Sequence, residues 1–390
     1  MAVRTTNEQV LEGAVRLDER SLHRALLGAC GAVGLEIDSA GAGGVTAPEQ
    51  AREIMGLPRA ARVCIIFVDG LGFHQLQARR GHVPAIRGLG TWDFITTVVP
   101  STTAAALSSF ATGRLPGETG MVGYSVRLGA RRQLTDLITF RNSPVPAHVW
   151  QSQPTIFERL GEQARDVILI EDSAYEDSGL TRAAWRGAQA VFATTFPDRV
   201  DAALEQLASG KKLVYLYWGN LDHQGHRYGV SSPRWLAELE MIDAEIGRFM
   251  RQVPRDTLVI LTGDHGMVED TEKIDVAHEP YLDRDVDAIA GEERAFHLYT
   301  SDPQGVARRW QETLGERAWV LTRSQIQDTQ LMGALSSRAR DAMGDVVAFA
   351  RERTGIVDSR VLSAGALAMK GVHGSLTPDE MHIPWIVAMS

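Results

Sequence analysis

The chain has 390 residues, of which 44% are hydrophobic and 23% are charged, as in an ordinary globular protein. Its net charge of −9 argues against a protein that coats nucleic acids, because such a protein needs a basic face. A nucleotide substrate is still compatible with this charge, since bound divalent metals can supply local positive charge. We therefore expect a small-molecule partner and no binding of nucleic-acid polymers.

The cysteine content and the N-terminus limit the cellular context. Only Cys30 and Cys64 are present, so the sequence predicts neither a disulfide framework nor a zinc finger. Cys64 lies in an apolar segment and is expected to be a small buried hydrophobic residue. The N-terminal segment lacks the apolar core of a signal peptide, and no continuous apolar run is long enough to span a membrane. The sequence predicts a cytoplasmic protein with no membrane partner.

In chain order, residues 1–58 show a mixed helical pattern and are expected to form an N-terminal extension that packs on the core. The chain then alternates β-rich and helical segments, which predicts an α/β fold with a mainly parallel central sheet and helices on both faces. Predicted helices include 154–164 and 232–253, the second with Ser231 or Ser232 as its N-cap. The predicted buried strands are 63–70, 94–100, 166–172, 190–196, 212–219 and 257–264.

Residues 268–368 differ from the rest of the chain because they are richer in charged residues. We expect them to form an inserted cap or subdomain beside the functional site, itself α/β. The catalytic core would then consist of residues 59–267 and 369–390, and the second part ends in the strand-like segment WIVAM.

Three aspartates come at or soon after the ends of predicted strands. Asp69 follows VCIIFV, Asp222 follows the strand in YLYWGNL, and Asp264 follows LVILTG. Because ligands of open α/β sheets bind at the carboxyl ends of parallel strands, these carboxylates are expected to converge on one rim. The G-x-G after Asp69 lacks the third glycine of a dinucleotide-binding loop, so that alternative is disfavoured.

Three histidines accompany these aspartates. His226 follows Asp222 by four positions in DHQGH, where the intervening glycine suits a tight loop that binds one ion. His265 directly follows Asp264, and the next glycine permits the sharp turn that adjacent ligands require. His373 lies in GVHGS. Each fragment alone has an ordinary structural explanation, but together three Asp and three His can bind two divalent cations.

A hydroxyl completes this set. Thr103 lies in PSTTAAALSSFATG, where a strand is expected to end and a helix of small residues to begin. At a helix N-terminus, free backbone N–H groups can hold a phosphate oxygen, and a hydroxyl bound to a cation can act as a nucleophile. The simpler interpretation is an N-cap, a role that Ser101 or Thr102 could also fill.

Taken together, these residues give the chain a resemblance to the alkaline phosphatase superfamily, and within it to the type I phosphodiesterase/nucleotide pyrophosphatase family. The resemblance runs from about residue 63 to residue 382. It rests on motifs in the family's order: Asp69-Gly70, Thr103 before Thr112-Gly113, Asp222 with His226, Asp264-His265-Gly266, and His373-Gly374.

The resemblance implies a mechanism and a division of the ligands. One metal would be held by Asp222, His226 and His373. The other would be held by Asp69, Asp264, His265 and the Thr103 oxygen. The metals would be zinc, with manganese or magnesium as alternatives. Thr103 would attack phosphorus in line, and water would hydrolyse the resulting phospho-threonine. The implied substrates contain phosphodiester or pyrophosphate bonds and are nucleotide-like.

One position departs from the family pattern. Eukaryotic-like members have an Asn three residues after the nucleophile, which helps to hold a non-bridging oxygen, whereas this chain has Ala106. Backbone N–H groups, the metals or another residue would have to replace it. Phe73, Ala104 and Tyr124 are expected to contact the substrate, the two aromatic residues by stacking, although both aromatics also have a structural explanation.

Several alternatives share this fold. A phosphomonoesterase acting on a small phosphorylated metabolite is the main one, because it needs the same metals and nucleophile. A sulfatase would need a C/S-x-P-x-R motif, and a cofactor-independent phosphoglycerate mutase would use a Ser nucleophile and a larger inserted domain. A catalytically silent binding module is disfavoured because the complete ligand set is present.

Overall fold

The computed structural model describes residues 11–38, 44–129, 132–270 and 272–390. Residues 1–10 and 39–43 of the expected N-terminal extension therefore lie outside the described part of the chain. The strands, numbered in chain order, are β1 Arg62–Val68, β2 Thr91–Thr96, β3 Ser125–Leu128, β4 Gln133–Asp136, β5 Val167–Glu171, β6 Gln189–Phe192, β7 Leu213–Trp218, β8 Thr257–Thr262, β9 Val268–Glu269, β10 Glu272–Asp275, β11 Ala288–Glu292, β12 Ala295–Tyr299, β13 Ala318–Thr322, β14 Val346–Ala350, β15 Thr354–Val357, β16 Gly371–Val372 and β17 His382–Met389.

The central sheet contains 7 strands in the order β2-β17-β8-β1-β7-β5-β6. From β8 to β6 each neighbouring pair is parallel, and Val63 of β1 pairs with Leu213 of β7. β17 is antiparallel to both of its neighbours, β2 and β8. The sheet confirms the predicted α/β fold with a mainly parallel sheet, and the segment WIVAM indeed lies in a core strand.

Helices cover both faces of this sheet. Alternate residues of β1 enter different hydrophobic cores, with Ile65 in one and Ile66 in the other. Cys64 is buried in the second core, as expected for a small hydrophobic residue. The α-helices are Ala25–Ala32, Pro48–Ile54, Phe73–Ala78, Pro84–Arg87, Thr103–Thr112, Pro116–Thr119, Ala147–Trp150, Ile156–Leu160, Gly179–Ala184, Phe196–Ala208, Asn220–Tyr228, Pro233–Gln252, Pro280–Asp283, Pro303–Leu314, Arg323–Asp328, Ser337–Ala342, Ala364–Leu367 and Pro378–Met381.

Two predicted strands differ from the observed ones. The strand predicted at 94–100 is observed three residues earlier, as β2 at Thr91–Thr96. The strand predicted at 190–196 is observed as β6 and already ends at Phe192. Both lie at the edges of the sheet, and Phe94 is 39% exposed. The prediction that these strands are buried was wrong, because an apolar run does not show which strand has a neighbour on only one side.

The two predicted helices have different outcomes. The segment predicted at 154–164 is α-helical only over Ile156–Leu160 and continues as a 3₁₀ turn, because Gly161 has φ 55° and ψ −126°. The helix Pro233–Gln252 is confirmed. Ser232 is its N-cap, since its hydroxyl accepts a hydrogen bond from the backbone N–H of Trp235 at 3.2 Å.

Outside the central sheet, residues 272–357 contain an antiparallel sheet in the order β11-β12-β14-β13 and the parallel pair β10 and β15. β11 ends at Glu292, which reaches the site described below. At the other end of the chain, the Trp385 indole donates to the backbone oxygen of Met55 at 3.1 Å and so links β17 to the N-terminal residues. The domain boundaries stay a prediction. Within the described ranges, every helix is too short or too polar to cross a membrane.

Candidate active site

The three aspartates meet at the carboxyl ends of neighbouring strands. Asp69 follows β1, Asp264 follows β8, and Asp222 lies in the first turn of the helix after β7. The backbone N–H of Gly70 donates to Asp264 Oδ1 at 3.0 Å. Gly70 has φ 71°, and a Cβ there would lie 3.0 Å from the Asp222 side chain, so the close approach requires glycine.

The three histidine rings are oriented by backbone carbonyl oxygens. The Nδ1 atoms of His226, His265 and His373 lie 2.7, 3.0 and 2.9 Å from backbone carbonyl oxygens. Because a carbonyl oxygen can only accept, each Nδ1 must carry a proton. In the neutral rings, each Nε2 therefore presents its lone pair to the cluster, which is the orientation that metal-ligating imidazoles require.

Among the described residues, two groups of ligand atoms lie close enough to hold a metal ion. Asp222, His226 and His373 form one group, and Asp69, Asp222 and His265 form the other, with all atoms of a group within 4.8 Å of one another. The first group is the set that the family resemblance implies for one metal. The second contains Asp222 where the resemblance implies Asp264, so Asp222 lies between the two groups.

Asp264 lies beside the second group and contacts His265. Its Oδ1 accepts the backbone N–H of Gly70 and of His265, at 3.0 and 3.1 Å. Its Oδ2 lies 3.4 Å from His265 Nε2. One oxygen thus fixes the loop, while the other faces the ligand cluster.

The residues present fit divalent metal ions. Among the described residues, Asp69 Oδ1, Asp222 Oδ1 and Asp264 Oδ2 are buried side-chain oxygens without a hydrogen-bond partner. Burying an unpaired carboxylate oxygen is costly unless a cation or a donor faces it. Three such oxygens beside three imidazole Nε2 atoms form a donor set of the kind that binds zinc and similar ions.

The pKa values reflect this crowding of charge. Burial and the nearby Asp264 and Asp222 carboxylates raise the pKa of Asp69 well above its usual range. Burial alone would raise the pKa of Asp222, but His226 at 3.2 Å lowers it below its usual range. Burial alone would lower the pKa of His226, but Asp222 raises it to about 9. Without metals, Asp222 and His226 therefore form an ion pair.

Thr103 is the first residue of the helix Thr103–Thr112, and its Oγ1 lies 3.2 Å from His265 Nε2. The N-cap residue is Thr102, but within the described part of the chain no side chain caps the helix. The Ser101 hydroxyl instead donates to the backbone oxygen of Ser375 at 2.7 Å. The simple N-cap explanation for Thr103 therefore needs correction, because its hydroxyl faces the ligand cluster.

The structure also corrects the local conformation around Asp222 and His226. They lie four positions apart on the helix Asn220–Tyr228, not in a tight loop. This spacing places both side chains on one helix face. Gly225 is required for packing, since a Cβ there would lie 2.4 Å from the Met267 sulfur.

A cavity of about 840 Å³ opens beside the ligands. Tyr124 lies in its wall and is 46% exposed, as expected for a residue near the mouth. The expectation for Phe73 needs correction, because it packs against Phe94 at 5.3 Å between ring centroids, outside the cavity lining. The side chain of Ala104 is fully buried, which leaves only its backbone to contact a substrate.

Three residues that line the cavity were missed at the level of sequence. The Tyr217 hydroxyl donates to Asp69 Oδ2 and so orients this ligand. Glu171 lies at the end of β5, and the strand-end argument that identified Asp69 could have found it. Glu292 comes from β11, and no local sequence signal connects it with the site.

The site thus combines a mainly parallel sheet, a group of carboxylates and histidines at its strand ends, and a threonine at a helix N-terminus. Residues 63–376 match the family of type I phosphodiesterases / nucleotide pyrophosphatases. The chain belongs to this family. The matched range contains every predicted metal ligand.

Individual relatives are more distant. Human ectonucleotide pyrophosphatase/phosphodiesterase family member 5 is 32% identical over 98 residues, which are 23% of this chain and 20% of that protein. The catalytic subunit of mouse GPI ethanolamine phosphate transferase 3 is 26% identical over 241 residues, 54% of this chain and 20% of that protein. The chain thus spans about a fifth of the length of these relatives.

Solved structures show the same fold. Murine ectonucleotide pyrophosphatase / phosphodiesterase 5 gives a TM-score of 0.65 at 17% identity, covering 84% of this chain and 88% of that chain. An inactive threonine-to-alanine variant of it, in complex with AMP, gives 0.63 at 17% identity, with coverages of 84% and 87%. Phosphonoacetate hydrolase from Sinorhizobium meliloti 1021, in complex with phosphonoformate, gives 0.65 at 17% identity, with coverages of 85% and 90%.

Proposed function

We propose that this protein hydrolyses phosphodiester or pyrophosphate bonds in small phosphate esters, nucleotides being the first candidates. Thr103 is the nucleophile, and two divalent ions, zinc in the first instance, complete the site. One observation carries the proposal: the Thr103 hydroxyl, three unpaired carboxylate oxygens and three imidazole Nε2 atoms converge at one end of a cavity.

The two ligand groups support a division of the residues between two metals. One ion would be held by Asp222, His226 and His373. The other would be held by Asp69, Asp222 and His265, with the unpaired oxygen of Asp264 and the Thr103 hydroxyl beside them. When bound, the ions would lower the pKa of the hydroxyl and stabilise charge on the phosphoryl oxygens.

The chain's own residues perform the remaining steps. The Thr103 oxygen forms a bond to phosphorus while the bond to the leaving oxygen breaks, and a water molecule later hydrolyses the phospho-threonine. The N–H of Ala106 already donates to the Thr102 oxygen at 2.9 Å, so it is not a donor for a substrate. The earlier backbone N–H groups of the first helical turn, including that of Ala104, would hold a non-bridging oxygen in place of the absent Asn.

The relatives support this proposal at the level of chemistry. A threonine-to-alanine change inactivates the murine protein that was solved with AMP, in agreement with a nucleophilic Thr103. The cavity of about 840 Å³ has room for a second ester substituent, which favours a diester over the phosphomonoester alternative. The cytoplasmic location stays a prediction.

The test compares bis-p-nitrophenyl phosphate with p-nitrophenyl phosphate, using metal-loaded protein and a chelator control. We expect chelator-sensitive hydrolysis with preference for the diester. Preference for the monoester would keep the site and make the protein a phosphomonoesterase. Absence of hydrolysis of both compounds by protein with two bound metals would contradict the proposal.

A further inference from the structure

A short backbone segment, residues 367–373, contacts the first ligand group of Asp222, His226 and His373; we call it the ligand segment. His226 Nδ1 lies 2.7 Å from the backbone oxygen of Gly371. The backbone N–H of Lys370 donates to the backbone oxygen of His226 at 2.8 Å, and His373 is itself the last residue of the segment. The position of the ligand segment therefore determines how two of the three ligands in this group are oriented.

The ammonium group of Lys273, a residue of β10, contacts the beginning of the ligand segment. Its Nζ donates to the backbone oxygens of Leu367 and Met369, at 3.2 and 3.1 Å. Leu367 is the last residue of the helix Ala364–Leu367, and the final carbonyl groups of a helix have no partner inside that helix. A lysine side chain that donates to such carbonyls stabilises the helix end, so Lys273 fixes the place where the ligand segment begins.

Two buried carboxylates hold the ammonium group in this position. Lys273 Nζ lies 3.2 Å from Asp270 Oδ2, and 3.0 and 3.1 Å from Oε1 and Oε2 of Glu293. The side chains of Asp270 and Glu293 are only 2% and 6% exposed. Five oxygen atoms from three parts of the chain thus surround an ammonium group that has three N–H donors. The side chain of Lys273 therefore has little freedom to leave the two carbonyl oxygens.

The strand pairing of the ligand segment is short and needs such support. Its strand β16 pairs with β9 through two residue pairs, Gly371 with Glu269 and Val372 with Val268. These two strands form a sheet of their own, and a two-stranded ladder is only marginally stable by itself. Lys273 adds an attachment on the N-terminal side of β16, next to the carbonyl oxygen that faces His226.

We propose that Lys273 is a positioning residue of the metal centre, which fixes the ligand segment and thereby the orientations of His226 and His373. Lys273 itself belongs to neither ligand group and acts through the backbone. This inference rests on the metal site of the proposed function and adds a residue on which that site depends. It predicts that the ion of the first ligand group depends on Lys273, whereas the ion of the second group does not.

Titration of the metal-free protein with Zn²⁺, in competition with a chromophoric chelator, tests this inference by measuring the dissociation constants of both ions. His226→Gln identifies the constant that belongs to the first ligand group. Lys273→Met should raise this constant by about tenfold or more, as expected when a group that orients metal ligands is lost. The constant of the other ion should stay close to the wild-type value, because His265 is oriented by the backbone oxygen of Gly266.

Three further variants keep the test independent of folding defects. Lys273→Met leaves two buried carboxylates without their cation, which lowers stability, so Lys273→Met/Glu293→Gln removes one of these charges as well and should show the same weakening. Glu293→Gln alone keeps the lysine on both carbonyl oxygens and should bind both ions like the wild type. Arg317→Met breaks an exposed ion pair with the neighbouring Glu272, at 2.8 Å, and should also leave both constants unchanged.

The outcomes separate the positioning role from the function it rests on. An unchanged constant of the first ligand group in the folded double variant would overturn the positioning role. Equal weakening of both ions would overturn it too, because a general loss of packing acts on both groups. Fewer than two Zn²⁺ per wild-type chain would overturn the role together with the two-metal site. The expected weakening in a protein that binds two Zn²⁺ but hydrolyses no diester would support the role and contradict the proposed function.

Discussion

The two ends of the cavity differ in how their polar groups are held. At the metal end, the Tyr217 hydroxyl binds Asp69, and each histidine Nδ1 faces a backbone oxygen. At the other end, Glu171 lines the cavity together with the aromatic residues Tyr175 and Trp185. The metal end is thus oriented before any ligand binds, which suits chemistry, whereas the wall at the Glu171 end consists largely of aromatic side chains.

The two ends also come from different parts of the chain. Most metal ligands follow the adjacent central strands β1, β7 and β8, which are fully buried apart from Arg62. The other end combines β5 with the segment around Tyr175, and Glu292 of β11 adds a further wall. Changes at the metal end should therefore affect all substrates, and changes at the other end should affect their ranking.

The largest effect is expected from removing the nucleophile. Thr103→Ala should lower kcat for a diester by about a thousandfold or more, because no covalent intermediate can form. Bound metal, measured by mass spectrometry, should stay near the wild-type content, since three other ligands remain in that group. Thr103→Ser is the matched control and should retain measurable turnover. Near-wild-type turnover of the alanine variant with metals bound would contradict the covalent mechanism.

The next largest effect concerns the carboxylate shared by both ligand groups. Asp222→Asn should lower the content of both metals and reduce kcat/KM by about a hundredfold or more, because Asp222 belongs to both groups. His223→Gln, at the neighbouring position on the same helix, should retain two metals per chain. Loss of only one metal in Asp222→Asn would show that the carboxylate binds a single ion.

A smaller effect is expected from the hydrogen bond that orients Asp69. Tyr217→Phe removes the hydroxyl that donates to Asp69 Oδ2 and should weaken metal affinity by about 10- to 100-fold. Tyr215→Phe is the matched control on the same strand face, because the Tyr215 hydroxyl is buried without a hydrogen-bond partner among the described residues. Equal metal affinities of the two variants in a competition titration would exclude an orienting role for Tyr217.

The metal end could be predicted from the sequence because its ligands follow continuous apolar strands. A run such as LVILTG predicts both the buried strand and the rim at which Asp264 lies. The sequence did not show that Asp222 and His226 share a helix, since a histidine, a glutamine and a glycine between them resemble a loop. The ligand types were therefore more predictable than their backbone conformation.

The other end depends on contacts between distant segments and could not be predicted in the same way. Phe73 was expected at the mouth of the site, yet its ring packs on Phe94 of β2, a contact that local sequence does not reveal. Glu292 reaches the cavity from an antiparallel sheet far along the chain. Glu171 is the exception, because it ends a predicted strand as the metal-ligating aspartates do.

The smallest expected effect is a pH-dependent stability of the metal-free protein. The folded-state pKa of His226 is raised to about 9 by Asp222, from a usual value of 6.5. The protonated ring therefore stabilises the folded state fully below pH 6.5, and this contribution is lost as the pH rises through about 9.

Thermal unfolding of chelator-treated wild type and His226→Gln measures this contribution. The wild type should have the higher Tm at pH 6, and the difference should shrink as the pH approaches 10, because the neutral ring no longer forms an ion pair with Asp222. With metals bound, the trend should reverse, since the ligating ring must be deprotonated and metal affinity falls as the pH decreases. A Tm difference that does not change with pH in the metal-free protein would mean that His226 is already neutral at pH 6, and that the metal end needs no proton release before it binds its ions.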